Sequence, residues 1–255
     1  MDRVSTGILK LDEVLGGGVL PGSNVLIEGI PGIDTRVFAY HMFAAHPNMD
    51  HVYLVDNTFP TEIRKHLSRF LFDIDRITFV DAFSSALGMP SEEEYVVPNA
   101  LDLTSVDKTV RAAMKDKHGV FVFDSLSSLL SKHEGAESIV KGWLPLVKDK
   151  GSVGIYLYQR WEEAPSMSFD YVIRIESVEE RILSRNYFRV TRAPHEVKDV
   201  AVPFRIGFDG IAVYVPKIIV TGPYHAGKTT FIHKISSRAV SVNRLGTTIA
   251  LDHGY

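Results

Sequence analysis

Gly119-Val120-Phe121-Val122-Phe123-Asp124-Ser125-Leu126-Ser127-Ser128-Leu129-Leu130 is an apolar run that stops at an acid and gives way to serines. A short unbroken run of aromatic and β-branched residues predicts a strand buried on both faces. Working outward, the same unit recurs. Asn24-Val25-Leu26-Ile27-Glu28-Gly29 follows the turn Pro21-Gly22-Ser23, and His51–Asp56, Ile77–Asp81 and Gly154–Gln159 are further apolar runs. Between them, 62–71 carries Ile63, His66, Leu67 and Phe70 on one helical stripe, and Ser105–Lys115 and Glu137–Lys148, with Trp143, also read as helices. Short apolar strands alternating with amphipathic helices predict one three-layer α/β/α domain with a mostly parallel sheet over residues 1–216. Asp170–Glu176 and Asn186–Arg192 read as an antiparallel pair, and Phe204–Tyr214 as a closing hairpin. Residues 84–103 hold Gly88, Pro90 and Pro98, which predicts a surface loop, with Glu92-Glu93-Glu94 as a solvated face.

The 255 residues are 45% hydrophobic and 23% charged, ordinary values for a globular chain. A net charge of −3 gives no global electrostatic case for nucleic acid. There is no cysteine, which excludes disulfides, thiolate metal sites and cysteine nucleophiles. The ten histidines show no metal-ligand spacing, and His41 and His46 on one helix read as incidental. No G-x-S-x-G elbow is present. The N-terminus lacks an apolar h-region and no stretch is long and apolar enough for a bilayer, so the expectation is a cytoplasmic protein without a membrane partner.

Val4-Ser5-Thr6-Gly7, Leu11-Asp12, Gly16-Gly17-Gly18 and Pro21-Gly22 form a short amphipathic helix closed by glycines and a turn. This pattern of S-T-G, L-D and G-G-G resembles the start of the KaiC-like branch of RecA-type ATPases, and the resemblance runs to about Pro216. It implies a RecA-like fold with a phosphate loop after the first strand. That loop is broken. In Gly29-Ile30-Pro31-Gly32-Ile33-Asp34-Thr35-Arg36, Asp34 stands for the second glycine, Thr35 for the lysine and Arg36 for the Mg²⁺-binding hydroxyl residue. A carboxylate ~4 Å from a phosphate charge opposes it by about 4 kcal/mol at an effective dielectric near 20. The resemblance also implies paired glutamates where Asn57 and Thr58 stand, and Asp56, one residue early at a strand end, points the other way. Asp124 then matches a Walker B acid, followed by a D-S-L-S like that of the family, although a buried strand with an Asp-initiated turn gives the same residues. Arg189 and Arg192 are candidates for reaching a neighbouring subunit's nucleotide, but their spacing does not suit one strand face, so they read as surface arginines.

A second loop is intact. Gly222-Pro223-Tyr224-His225-Ala226-Gly227-Lys228-Thr229 has the form G-x-x-x-x-G-K-[ST], between an apolar run ending at Thr221 and a helix running to about Ala239. Gly222, His225, Ala226, Gly227, Lys228, Thr229 and Thr230 are the candidate phosphate-binding residues, with Lys228 on the terminal phosphates and Thr229 on Mg²⁺. Residues 241–248 read as a polar loop and Ile249–Asp252 as a strand. That order resembles the start of a Ras- or Arf-like GTPase, which implies that Thr247 or Thr248 senses Mg²⁺. Residues 217–255 then constitute the incomplete beginning of such a domain. One helix and two strands bury too little surface to stand alone, so this segment is expected to pack on the first domain or another chain.

Three functions follow as expectations. The first is a regulatory protein in which a pseudo-ATPase domain is the scaffold for a GTPase-type switch that takes GTP or ATP with Mg²⁺. It would act with a protein partner or by self-association, and hydrolysis would need the complete second domain. The second is a RecA-type ATPase acting on DNA or protein, and the third is a purely structural module.

Overall fold

The computed structural model describes residues 2–70, 73–159, 167–180, 183–214, 220–221, 223, 226–235, 240–244 and 247–251. Two units are distinct, Met1–Tyr214 and Val215–Tyr255. In the first, helix α1 (Leu9–Val14) is held by Asp12. Its carboxylate accepts from Ser5 Oγ at 2.6 Å and from the Thr6 amide and hydroxyl at 2.8 and 2.7 Å. The S-T-G and L-D elements are thus two halves of one hydrogen-bonded turn. Beyond α1 come β1 (Asn24–Gly29), α2 (Arg36–Ala45), β2 (His51–Val55), α3 (Pro60–Leu67), β3 (Ile77–Asp81) and α4 (Phe83–Ala86). They are followed by β4 (Tyr95–Val96), α5 (Leu103–Met114), β5 (Val120–Asp124), α6 (Leu126–Lys132), α7 (Ala136–Asp149) and β6 (Val153–Gln159). The unit closes with β7 (Tyr171–Glu180), β8 (Leu183–Arg192), β9 (Val202–Gly207) and β10 (Gly210–Val213).

These strands form a ten-stranded sheet in the order β10-β9-β8-β7-β1-β6-β5-β2-β3-β4. The ladders from β7 through β1 to β4 are all parallel, while β7–β8, β8–β9 and β9–β10 are antiparallel. The sheet is an α/β sheet with a largely parallel centre, as the alternating pattern requires. Every residue of β1, β2 and β5 is buried. Alternate side chains serve opposite faces. Val120 and Val122, with Val25, Tyr53 and Val55, join Phe38 and Phe43 of α2 and Ile63 of α3. Phe121 and Phe123, with Leu26 and Leu54, join Val110 of α5, Leu129 of α6 and Trp143 of α7. Phe123 lies stacked between Trp143 and Tyr156, with ring centroids 5.0 and 4.4 Å away.

Several expectations need correction. The helix read over 62–71 is α3 followed by a 3-10 turn at Ser68–Phe70, and residues 71 and 72 lie outside the described residues. Residues 84–103 are not simply a surface loop: β4 pairs with β3 and Val97 is fully buried. Nor is the acidic run merely solvated, because Glu93 pairs with Arg64 at 2.8 Å. His41 and His46 are structural: His41 Nε2 accepts the Ile211 amide at 2.8 Å, and His46 Nε2 lies 2.9 Å from the Ser5 carbonyl. Arg189 is a surface arginine, paired with Asp199 at 2.7 Å.

In the second unit, α8 (Lys228–Ile235) precedes β11 (Val240–Arg244) and β12 (Thr247–Leu251), which pair antiparallel. Where a polar loop was expected over 241–248, residues 241–244 and 247–248 are therefore strand, with Thr248 opposite Asn243, and 245–246 lie outside the described residues. The apolar run expected before the loop falls largely on residues 215–219, outside the described residues.

Candidate functional site

The parallel strands β1, β5 and β2 end on the same side, where open α/β sheets receive ligands. A cavity of about 410 Å³ lies there, lined among others by Gly32, Asp34, Arg36, Asn57, Asp124 and Gln159. The broken loop is its floor. Gly29 ends β1 with no room for a side chain, since a Cβ would stand 2.2 Å from the Thr35 methyl. Gly32 turns with φ +91°, a conformation that costs glycine little. Thr35, where a lysine would reach for phosphate, is instead buried with its methyl against Gly29.

Asp34 takes the position facing the first turn of α2. Its Oδ1 accepts from the Arg36 amide at 3.1 Å and from Arg36 Nε at 2.7 Å, and its Oδ2 accepts from Nη2 at 3.1 Å. The helix N-terminus and the guanidinium, both suited to an anion, are occupied by the chain's own carboxylate. Burial works to lower the Arg36 pKa, but the bond to Asp34 and its charge outweigh it, so the guanidinium stays firmly charged. Among the described residues lining the cavity, Arg36 is the one cation.

Asp124 lies on the α2 face of the sheet. Its Oδ2 accepts from the Tyr53 hydroxyl at 2.9 Å and its Oδ1 from Asn57 Nδ2 at 3.4 Å. Burial pushes its pKa up to about 6, with Arg36 and the Tyr53 bond opposing the rise. Burial also raises the phenols of Tyr53 and Tyr40 above their ordinary range. Asp56 does point the other way: it stays out of this cavity and accepts the Ser125 amide on the far side at 3.1 Å. Thus Asn57 and Thr58, which cannot serve as bases at neutral pH, line the cavity where the resembled family carries carboxylates. These residues do not fit a Mg²⁺–triphosphate. Lysine and hydroxyl ligand are absent from the loop, and a paired carboxylate fills the anion position.

Sequence reasoning missed Tyr53 as the partner of Asp124. The signal was a tyrosine inside an apolar strand, because a buried phenol needs an acceptor. In the second unit, Ala226, Gly227, Lys228, Thr229 and Thr230 stand at the start of α8. Lys228 Nζ donates to the Pro223 carbonyl at 2.6 Å. Gly222 and His225 lie outside the described residues. Among the described residues, no cluster of three acids or histidines could hold a metal, and no helix is long and apolar enough to cross a membrane.

No protein-family model matches the chain. A UPF0273 protein of Pyrococcus furiosus is 27% identical over 241 residues, covering 86% of this chain and 97% of that protein. A UPF0273 protein of Saccharolobus solfataricus is 27% identical over 240 residues, covering 86% and 85%. The crystal structure of a KaiC-like protein from the archaeon Pyrococcus horikoshii superposes with a TM-score of 0.62 at 24% identity, over 84% of this chain and 99% of that one. The chain has a KaiC-like, RecA-type fold.

Proposed function

We propose that this chain is a nucleotide-dependent regulatory protein in which residues 1–216 are a KaiC/RecA-type pseudo-ATPase scaffold. The observation that carries this reading is the Asp34–Arg36 pair, at 2.7 Å, across the mouth of the first phosphate loop. A triphosphate there would have to displace a carboxylate bonded through three nitrogens, and no lysine would receive it. Triphosphate binding passes to residues 217–255, a GTPase-type segment. There Gly222, His225, Ala226, Gly227, Lys228 and Thr230 cradle GTP or ATP, and Thr229 and Thr248 serve Mg²⁺. The scaffold would engage a protein partner or a second copy.

A second reading, a RecA-type ATPase acting on DNA or protein, is favoured by the likeness in fold and by the UPF0273 relatives. Calorimetry with Mg²⁺–ATP and Mg²⁺–GTP separates the two. Under the scaffold reading the chain binds a triphosphate, and Lys228→Ala costs about 1.5–3 kcal/mol of affinity. Binding that survives Lys228→Ala and is lost in Asp124→Asn would move the site to the first unit and favour the ATPase.

A further inference from the structure

A second cavity, of about 540 Å³, lies at the end of β3 beside α3 and α4. Its lining sets three carboxylates, Asp81, Glu92 and Glu93, against one guanidinium, Arg64. That guanidinium is committed: Nε and Nη2 donate to the two Glu93 oxygens at 3.3 and 2.8 Å, and the group lies over the Phe79 ring at 4.4 Å. Asp81 is fully buried and already served, by the Ser84 amide at 2.9 Å and the Ser91 hydroxyl at 2.6 Å. It gives the cavity charge but no contact. Two polar groups are left over. Glu92 is exposed, and its carboxylate has no partner among the described residues. Ser84 is only 3% exposed, yet its hydroxyl makes no hydrogen bond among the described residues and borders the cavity. A hydroxyl so placed calls for a partner, and the cavity is where one can reach it. Phe59, packed at 4.9 Å against Phe83, and Pro60 supply an apolar wall.

We propose that this cavity binds an organic cation, a primary ammonium on a straight alkyl stem. The ammonium donates to the Ser84 hydroxyl and is held by the charge of Asp81 and Glu92, while the stem lies on Phe59 and Pro60. A cleft with a surplus of carboxylates draws a cation and repels an anion. A neutral alcohol could bond Ser84 but would leave that surplus unmet. A free alkylamine and the lysine side chain of a partner share this chemistry. The cavity has no lining residue in common with the one over the broken loop, so its ligand does not depend on which phosphate loop is functional.

The test is titration of the intact chain with n-pentylamine, followed by saturation-transfer NMR, with 1-pentanol and pentanoate as comparisons. Salt at about 0.15 M screens loose attraction to the surface. Saturable millimolar binding of the amine is expected, on the order of 10-fold tighter than either comparison. Ser84→Ala removes the unpartnered hydroxyl and keeps the amide bond to Asp81, so the melting curve should stay native while binding weakens about 10-fold. Glu92 is exposed, so Glu92→Gln should fold normally and weaken binding by about 2- to 5-fold. A capped tripeptide with a central lysine separates the sources: tighter binding than pentylamine supports a partner's lysine, and weaker binding supports a free amine. Absence of saturable binding, equal binding of pentanol or pentanoate, or binding indifferent to both substitutions in variants with native melting curves would overturn the proposal.

Discussion

The Tyr53 hydroxyl donates to Asp124 Oδ2 at 2.9 Å across adjacent parallel strands, from a position two residue pairs below the Val55–Asp124 register. A walled-in carboxylate thus has a neutral phenol as its shortest hydrogen bond, and its pKa rises from an ordinary 3.8 to about 6. Between those values the folded state holds a proton that the unfolded state has released. Asp124 therefore detracts from stability above pH 6, and that penalty fades as pH falls through 6 and is gone below 3.8.

Asp124→Asn should accordingly stabilise the chain at pH 7.5, by roughly 1–3 kcal/mol. The gain should shrink on acidification and vanish near pH 4. His51 works oppositely, since burial lowers its pKa to about 4 and the unfolded state takes its proton first, but it does so in both proteins. Urea denaturation of both proteins across the pH range measures the difference. A gain that is flat with pH would contradict this account of Asp124.

His41→Leu should destabilise the first unit by about 1–3 kcal/mol, because the Ile211 amide loses its acceptor. His41→Gln, which can supply an acceptor, should restore part of that loss. Burial lowers the His41 pKa, so the neutral acceptor persists in the folded state below 6.5, while the stability it contributes is full above 6.5 and is lost as pH falls toward that lowered pKa. Thermal melts of the three proteins at pH 7.5 and 5 read both effects.

Restoring the first loop with Asp34→Gly, Thr35→Lys and Arg36→Thr should recover triphosphate binding before hydrolysis. In the Lys228→Ala background, calorimetry should show at least a tenfold gain in Mg²⁺–ATP affinity. Turnover should stay near background, since Asn57 and Thr58 supply no base. Turnover restored by these three changes alone would place the base elsewhere.

Much of the fold was legible because the central strands are buried on both faces. Val120–Phe123 left no polar residue to confuse its period, and the short helix read after Ser5 and Thr6 is α1, tied to them through Asp12. What failed was distant or polar. Arg64 meets Glu93 across 29 residues, a pairing no local pattern encodes. Val240-Ser241-Val242-Asn243 alternates as a strand should, but its serine and asparagine suggested a loop. At the site, the loss of the loop's lysine was visible in Thr35. That Asp34 and Arg36 would fill the vacancy with each other required the geometry of α2's first turn.

The most direct test of the central claim is steady-state phosphate release from Mg²⁺–ATP by the chain carrying Lys228→Ala, which disables the second phosphate loop and leaves the first-unit site to be read. The account predicts a rate indistinguishable from buffer, unchanged by a further Asp124→Asn. Robust release that Asp124→Asn abolishes would contradict it and make the first unit a working ATPase.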